Sequence, residues 1–388
     1  MLTSLAVTPL SPWCFPLCPQ PPDWALDWAA LQHEFPWLGP MRDCPQDPVW
    51  HAEGNVLEHT KLVCEALVAL DAWRALPPTD RSALFAAALM HDVGKPLATR
   101  HDHQGIRSPR HAAKGARLAR TLLWEELLPA ESLERFQLRE QIVGLIRFHA
   151  LPLHTANLDE ARREMVAASQ VVRLDRLAIL AQADAAGRQA ANRQELLERV
   201  EWFRELAREN HCYTEPRRFA SPHTRYVYFQ GRELDPDVEV YDDTQLEVIV
   251  LSGLPGAGKD HWTTENAVGW PVVSLDAIRK TLGVDPEDNQ GAVIAHAKEL
   301  ARTYLRRNVP FVWNATNVTR DLRRQLIGLL SNYHARVRIA YVETAWHELL
   351  RRNARRAARV PEAVLRKLAG KLEVPDVTES QQVEYAIG

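Results

Sequence analysis

At 388 residues the chain exceeds what one hydrophobic core usually serves, which predicts two or three domains. A hydrophobic share of 46% and a charged share of 25% are ordinary soluble-protein values, and the net charge of -3 excludes a globally basic nucleic-acid binder, so any polyanion must be met by a local patch. No apolar run approaches the roughly 18 residues of a membrane span, and no basic flank precedes an apolar core at the N-terminus, which predicts a cytoplasmic chain that uses no membrane.

Ten of the 25 prolines fall before residue 49, interleaved with Trp13, Trp24, Trp28, Trp37 and Trp50. Residues 1–50 are therefore irregular but too aromatic for a disordered tail, and are expected to pack on the next domain. Cys14, Cys18, Cys44, Cys64 and Cys212 form an odd, irregularly spaced set that predicts free thiols rather than a disulfide framework. Residues 51–210 read as all-helical: Val56, Leu62, Val63, Leu67 and Leu70 fall at helical spacing, as do the runs 83–90, 142–146 and 174–180, with no strand signal between them. In residues 211–245, Pro216, Pro222, Gly231 and Pro236 punctuate an aromatic and β-branched run at 225–229, expected to be a linker or small β element. From 246 to 388 apolar strands at 246–251, 272–275, 311–313 and 337–342 alternate with helices, which predicts an α/β domain on a parallel sheet.

Eight of the 15 histidines lie between His51 and His154. His59 follows Glu58 on one helix, His91 and Asp92 end an apolar helix, and Asp184 sits in an Ala-Asp-Ala context on a later one. Imidazoles and carboxylates supplied by different helices can hold a divalent metal and leave positions open for water and phosphate. Gly94 permits a turn after the helix, and Lys95 can meet a phosphate oxygen as a point charge. The set His59, His91-Asp92, Asp184 resembles the H…HD…D signature of HD-superfamily phosphohydrolases, in which those residues bind the catalytic metal. By the same resemblance His111 and His149 complete a second metal or phosphate site. Asp175 is an alternative last ligand, and His101, His103 and His154 read as loop or rim residues.

The strand at 246–251 runs into Gly253-Leu254-Pro255-Gly256-Ala257-Gly258-Lys259, a P-loop whose backbone N–H groups wrap phosphates while Lys259 offsets their charge. Gly253, Gly256, Ala257, Gly258, Lys259 and Asp260 are the expected nucleotide contacts, for ATP or another NTP with magnesium. Asp260 stands where Ser or Thr normally ligates the metal, and Asn314 replaces the usual acid at the end of the 311–313 strand, so Asp260 is expected to take over part of the magnesium site, directly or through water. Asp276, after the second strand, can accept a proton from an attacking hydroxyl, and Arg279 can hold a substrate phosphate; Asp276 as a helix N-cap with Arg279 exposed is the plainer reading. An arginine-rich stretch at 351–367 can close over the triphosphate. The Ser-x-Asp-x-x-Arg segment and this lid resemble the 5′-hydroxyl polynucleotide kinases, in which the aspartate is the general base and a lid arginine contacts the donor; carried over, these are Asp276, Arg279 and Arg352 or Arg356. Arg320 and Arg323 remain candidate substrate contacts.

The fusion is similar to the bacterial HD-Pnk end-healing enzymes over roughly residues 51–372. The resemblance implies an HD module that removes 3′ or 2′ phosphate or opens a 2′,3′-cyclic phosphate, and a kinase that phosphorylates 5′-hydroxyl ends of RNA or DNA so that a ligase can seal them. A transition metal such as Mn2+, Co2+ or Ni2+ suits the histidine-rich site. A homodimer is compatible with the sequence. A nucleotide kinase fused to a nucleotide phosphohydrolase, a zeta-class toxin kinase, and a nucleotide-sensing regulator stay open beside this reading.

Overall fold

The computed structural model describes residues 13–103, 105–154, 158–285, 287–356 and 358–388. The chain forms two compact units: residues up to 119 with 141–162 and 172–209, and residues 120–140 and 163–171 with 210–388. Residues 120–140 thus lie inside the 51–210 span expected for the helical domain yet group with the sheet.

Through residue 209 the main elements are α1 (Trp28–Glu34), α2 (Val56–Ala69), α3 (Pro78–Met90), β1 (Arg100–Asp102), β2 (Gly105–Arg107), α4 (His111–Leu122), α5 (Leu133–Phe148), α6 (Leu158–Ser169), α7 (Leu174–Gly187) and α8 (Arg193–Glu209). Asn55 caps α2 by accepting from the Glu58 amide. Every residue of α3 from Ser82 to Met90 is buried, which sets the core of this unit. The aromatic leader packs as expected: Phe15 is fully buried, its N–H donates to Ser82 Oγ at 3.0 Å, and its ring meets Phe35 and Phe85. All five cysteines are free thiols.

Two local expectations are corrected. The hairpin of β1 and β2 interrupts the helical region; its strands are short and polar, with β1 exposed throughout, so no apolar alternation announced them. The 225–229 run is not β but the end of helix α9 (Pro222–Phe229), because Ser221 accepts from the Thr224 amide and Pro222 stands in the first turn, a start signal that overrides β propensity.

The second unit carries a five-stranded sheet in the order β4-β5-β3-β6-β7, formed by β3 (Leu246–Ser252), β4 (Val272–Ser274), β5 (Phe311–Asn314), β6 (Ala335–Glu343) and β7 (Gln382–Ile387). All its pairings are parallel, as expected; β7 was not anticipated, and Leu275 belongs to a helix rather than to β4. Between the strands lie α10 (Lys259–Asn266), α11 (Leu275–Leu282), α12 (Gly291–Arg306), α13 (Arg320–Ser331), α14 (Trp346–Ala354) and α15 (Glu362–Ala369). Side chains alternate along β3: Val248 and Val250 join one buried layer with Val293, Leu305 and Leu326, while Ile249 and Leu251 join the other with Trp124, Phe136, Trp346 and Leu365. The register pairs Ser274 with Asn314 and Val250 with Trp313, which brings the carboxyl ends of β3, β4 and β5 to one edge. Among the described residues no helix is long and apolar enough to cross a membrane.

Candidate functional site

In the first unit, α2, the end of α3, the start of α4, the end of α5, and α7 each deliver one part of a buried cluster. His59 Nε2 lies 3.2 Å from Asp184 Oδ1 and 3.8 Å from Asp92 Oδ2. His91 Nε2 is 3.2 Å from the same Asp92 oxygen, while His111 and His149 face Asp92 Oδ1 at 3.3 and 3.8 Å. Asp92 therefore stands between two donor sets, His59-His91-Asp184 and Asp92-His111-His149.

The imidazoles are oriented by a shared device. His91, His111 and His149 each place Nδ1 2.7–2.9 Å from a backbone carbonyl three residues upstream, that of Ala88, Ser108 and Ile146. A carbonyl only accepts, so Nδ1 carries the proton and the Nε2 lone pair points inward. His59 is held differently: Glu53 Oε1 lies 2.8 Å from Nδ1 of both His59 and His51. Sequence reading did not single out Glu53 or His51; no spacing rule links them to the signature. Asp184 is further braced by Arg188 at 3.0 Å through both oxygens.

Burial disfavours the ionised carboxyls, but Lys95 and His91 hold Asp92 well below the usual carboxylate range, and Arg188 and His59 do the same for Asp184. Burial and the neighbouring His91 push His149 down to about 3. A divalent cation fits this donor set, because His59 Nε2, His91 Nε2 and Asp92 Oδ1 are buried without a hydrogen-bond partner. Lys95 Nζ, itself buried, lies 2.7 Å from Asp92 Oδ2 and donates to Gln46 Oε1, so its charge is directed at the cluster. Asp175 is taken up by Arg173 and Arg176, and it is Asp184 that stands beside His59 and His91 in the cluster. His101 and His103 are exposed.

Gly94 has a role other than the one read from sequence. Its φ of -84° suits any residue, but a Cβ there would lie 2.2 Å from the His111 carbonyl and 2.4 Å from the Gly115 nitrogen. The glycine is needed for close approach of α4, which carries His111.

In the second unit the P-loop leaves β3 and ends on α10, with Gly258 at φ 109°. Residues 316 and 317 brace it: Gly253 N–H donates to the Thr316 carbonyl, Ser252 Oγ to the Asn317 carbonyl, and Asn317 Nδ2 to the Leu251 carbonyl. Lys259 Nζ donates to the carbonyls of Gly253 and Leu254, both at 2.9 Å. Burial lowers its pKa to about 8; Asp260 and Asp276 oppose the shift and Arg356 adds to it, which places all four charges around the loop. Gly256 and Ala257 complete the turn, and Arg352 Nη1 reaches the Ala257 carbonyl at 3.4 Å while its Nε donates to Glu348. Asn314 Nδ2 donates to Asp260 Oδ1 at 2.6 Å.

Asp276 lies in the first turn of α11, but the N-cap is Ser274, whose hydroxyl accepts from the Ala277 amide. Asp276 is thus released from capping; it pairs with Arg279, which also donates to Gln290. Arg320 and Arg323 are both engaged by partners within their own domain. Arg323 is fully buried and grips Glu379 with two hydrogen bonds, and Arg320 bonds Asp376 and Thr378.

Residues 56–188 match the family model described as the HD domain, and residues 248–375 match that described as the AAA domain. Among solved structures, the chain is similar to a putative kinase from Chloroflexus aurantiacus, at 17% identity over 37% of this chain and 86% of that one, TM-score 0.33. It is also similar to a gluconokinase from Sinorhizobium meliloti, at 19% identity over 37% of this chain and 83% of that one, TM-score 0.28. The chain therefore joins an HD phosphohydrolase domain to a P-loop kinase-like domain.

Proposed function

We propose that the chain is a bifunctional nucleic-acid end-healing enzyme. The first domain hydrolyses a 3′ or 2′ phosphate or a 2′,3′-cyclic phosphate, and the second transfers the γ-phosphate of ATP or another NTP to a 5′-hydroxyl. The substrates are RNA or DNA ends, and the products are the ends a ligase requires.

In the first domain a divalent metal, of which Mn2+, Co2+ and Ni2+ suit the imidazole-rich set, would polarise the phosphoester and activate water. His59, His91, Asp92 and Asp184 would hold it, with His111 and His149 facing the other oxygen of Asp92. Lys95 offsets charge on the departing phosphate from its place beside Asp92. In the second domain Lys259, Arg352 and Arg356 gather positive charge at the donor side, and a magnesium ion bound there would offset further charge of the triphosphate. Asp276 takes the proton of the attacking hydroxyl, and Arg279 sets the carboxylate.

The observation that carries the nucleic-acid reading is the setting of Asp276. It stands at the open carboxyl edge of the sheet with its side chain 75% exposed. A general base so placed leaves room for a chain beyond the terminal nucleotide, whereas a small acceptor is usually enclosed.

The test is incubation with a γ-labelled NTP, magnesium or manganese, and an oligonucleotide bearing a 5′-hydroxyl and a 3′-phosphate. Label gained at one end and phosphate lost from the other is expected. Label on free nucleosides alone would replace this reading with a small-molecule kinase.

A further inference from the structure

We infer that the Asp260 carboxylate, oriented by the Asn314 amide, is a direct magnesium ligand of the nucleotide site, in the place that P-loops give to a serine or threonine hydroxyl. The inference rests on the kinase reading of the second domain, but on no particular phosphate acceptor.

A P-loop of the usual kind supplies a hydroxyl after its lysine and a carboxylate at the end of the neighbouring strand. Here the two positions have exchanged character: Asp260 follows Lys259, and Asn314 ends β5, the strand beside β3. Fifty-four residues separate them, yet the side chains touch, with Asn314 Nδ2 2.6 Å from Asp260 Oδ1. Two departures that meet in one hydrogen bond are better read as one exchange than as two losses.

The exchange conserves the chemistry the metal needs. A hydroxyl with a carboxylate brings one negative charge, and so does a carboxylate with an amide. A carboxylate oxygen is a hard ligand suited to magnesium. The charge has moved from the end of a strand to the first turn of α10, where the helix N-terminus favours an anion.

The geometry also fixes roles. A carboxylate can only accept, so the amide must present Nδ2 to it, which leaves Oδ2 of Asp260 and the amide oxygen of Asn314 for a cation. Among the described residues Asp260 forms no ion pair, so no arginine or lysine side chain competes for that oxygen. An aspartate at Asn314 beside Asp260 would set two carboxylates in contact, which explains why the strand end is neutral in this chain.

The test measures binding, not turnover. The affinity of a fluorescent non-hydrolysable ATP analogue is determined with magnesium and with EDTA for the full chain, Asp260→Asn, Asp260→Ser and the double variant Asp260→Ser/Asn314→Asp, with Lys259→Ala as the blank for binding elsewhere. The native chain should gain about tenfold or more from magnesium. Both single variants should lose that gain while binding the analogue in EDTA at least as well as the native chain, since a negative charge beside the phosphates is gone. That EDTA value also reports an intact kinase domain. The double variant, with the conventional hydroxyl and carboxylate, should recover the gain to within about threefold. Single variants that keep the native magnesium gain, or a double variant no better than Asp260→Ser, would overturn the assignment. A native chain that passes this test but labels no oligonucleotide would overturn the end-healing reading and leave the ligand assignment standing.

Discussion

Arg139 and Glu343, 204 residues apart, form a two-pronged ion pair with both side chains buried, at 2.7 and 2.9 Å. The guanidinium also lies over Trp124 and Phe136, at 5.4 and 5.2 Å from the ring centroids. Burial disfavours its charge, but Glu343 and Glu140 hold the Arg139 pKa above its ordinary value. Glu343 ends β6, so the pair fastens the 120–140 segment to the sheet within the second unit. Replacing Arg139 with Met strands a buried carboxylate and is expected to cost about 3–5 kcal/mol, whereas Arg139→Met/Glu343→Met should recover most of it. Thermal unfolding measures both. A fragment beginning at residue 211 lacks Arg139, Trp124 and Phe136, and is expected to melt well below the kinase transition of the full chain.

Gly94→Ala is expected to disable the histidine cluster and spare the kinase. A Cβ 2.2 Å from the His111 carbonyl must displace α4, and His111 moves with it. Isothermal titration with Mn2+ should show weaker binding, while the NTP affinity of the P-loop stays native. Unchanged Mn2+ binding would mean that α4 is not rigidly set by that contact.

The sequence made these sites legible to different depths. The histidine and aspartate signature and the P-loop were readable because chemistry fixes both residue type and order. The parallel sheet was readable because its central strands are apolar on both faces, but β7 was not: its residues Gln382–Ile387 are mostly half-buried, which leaves a weaker apolar signal. Arg323 looked like a substrate contact because sequence does not show that Glu379, 56 residues on, folds against it. Glu53 went unnoticed for the same reason, since its meaning depends on two imidazoles converging on one oxygen.

Glu53 gives a prediction of its own. Its carboxylate lies 2.8 Å from His59 Nδ1 and puts a negative charge behind that imidazole, so Glu53→Gln should weaken metal binding by roughly 10–100-fold without unfolding the chain. Titration with Mn2+ and a thermal melt separate the two effects. Gln keeps the volume and one oxygen, so a fall in melting temperature with native metal affinity would assign Glu53 to packing alone.

Lys259 sets a pH dependence on nucleotide binding. With its pKa lowered to about 8, the ammonium is present below that pH and lost above it. Phosphates bind the charged form, so affinity should be flat below pH 8 and fall by about tenfold per unit beyond it. Lys259→Arg, which keeps its charge throughout, should abolish the slope. Fluorescence titration between pH 7 and pH 10 measures it, at roughly constant ionic strength because screening also weakens phosphate contacts.

Asp276 offers the sharpest division between the two chemistries. Ser274 already caps α11, so removing the Asp276 carboxylate takes away no capping bond and should leave the fold intact. If it is the base, Asp276→Ala lowers kinase turnover by about 10²–10⁴-fold with little change in NTP affinity, because the proton is abstracted from the acceptor and not from the donor. Phosphate release by the histidine cluster should be unaffected. His91→Ala or Asp92→Ala should do the reverse, since both residues belong to a cluster that contains no P-loop residue. Single-turnover labelling and phosphate release, measured on the same preparations, read both arms. A single one of these substitutions that silenced both activities in a folded chain would contradict two independent sites, and would place a shared substrate or an obligatory order between them.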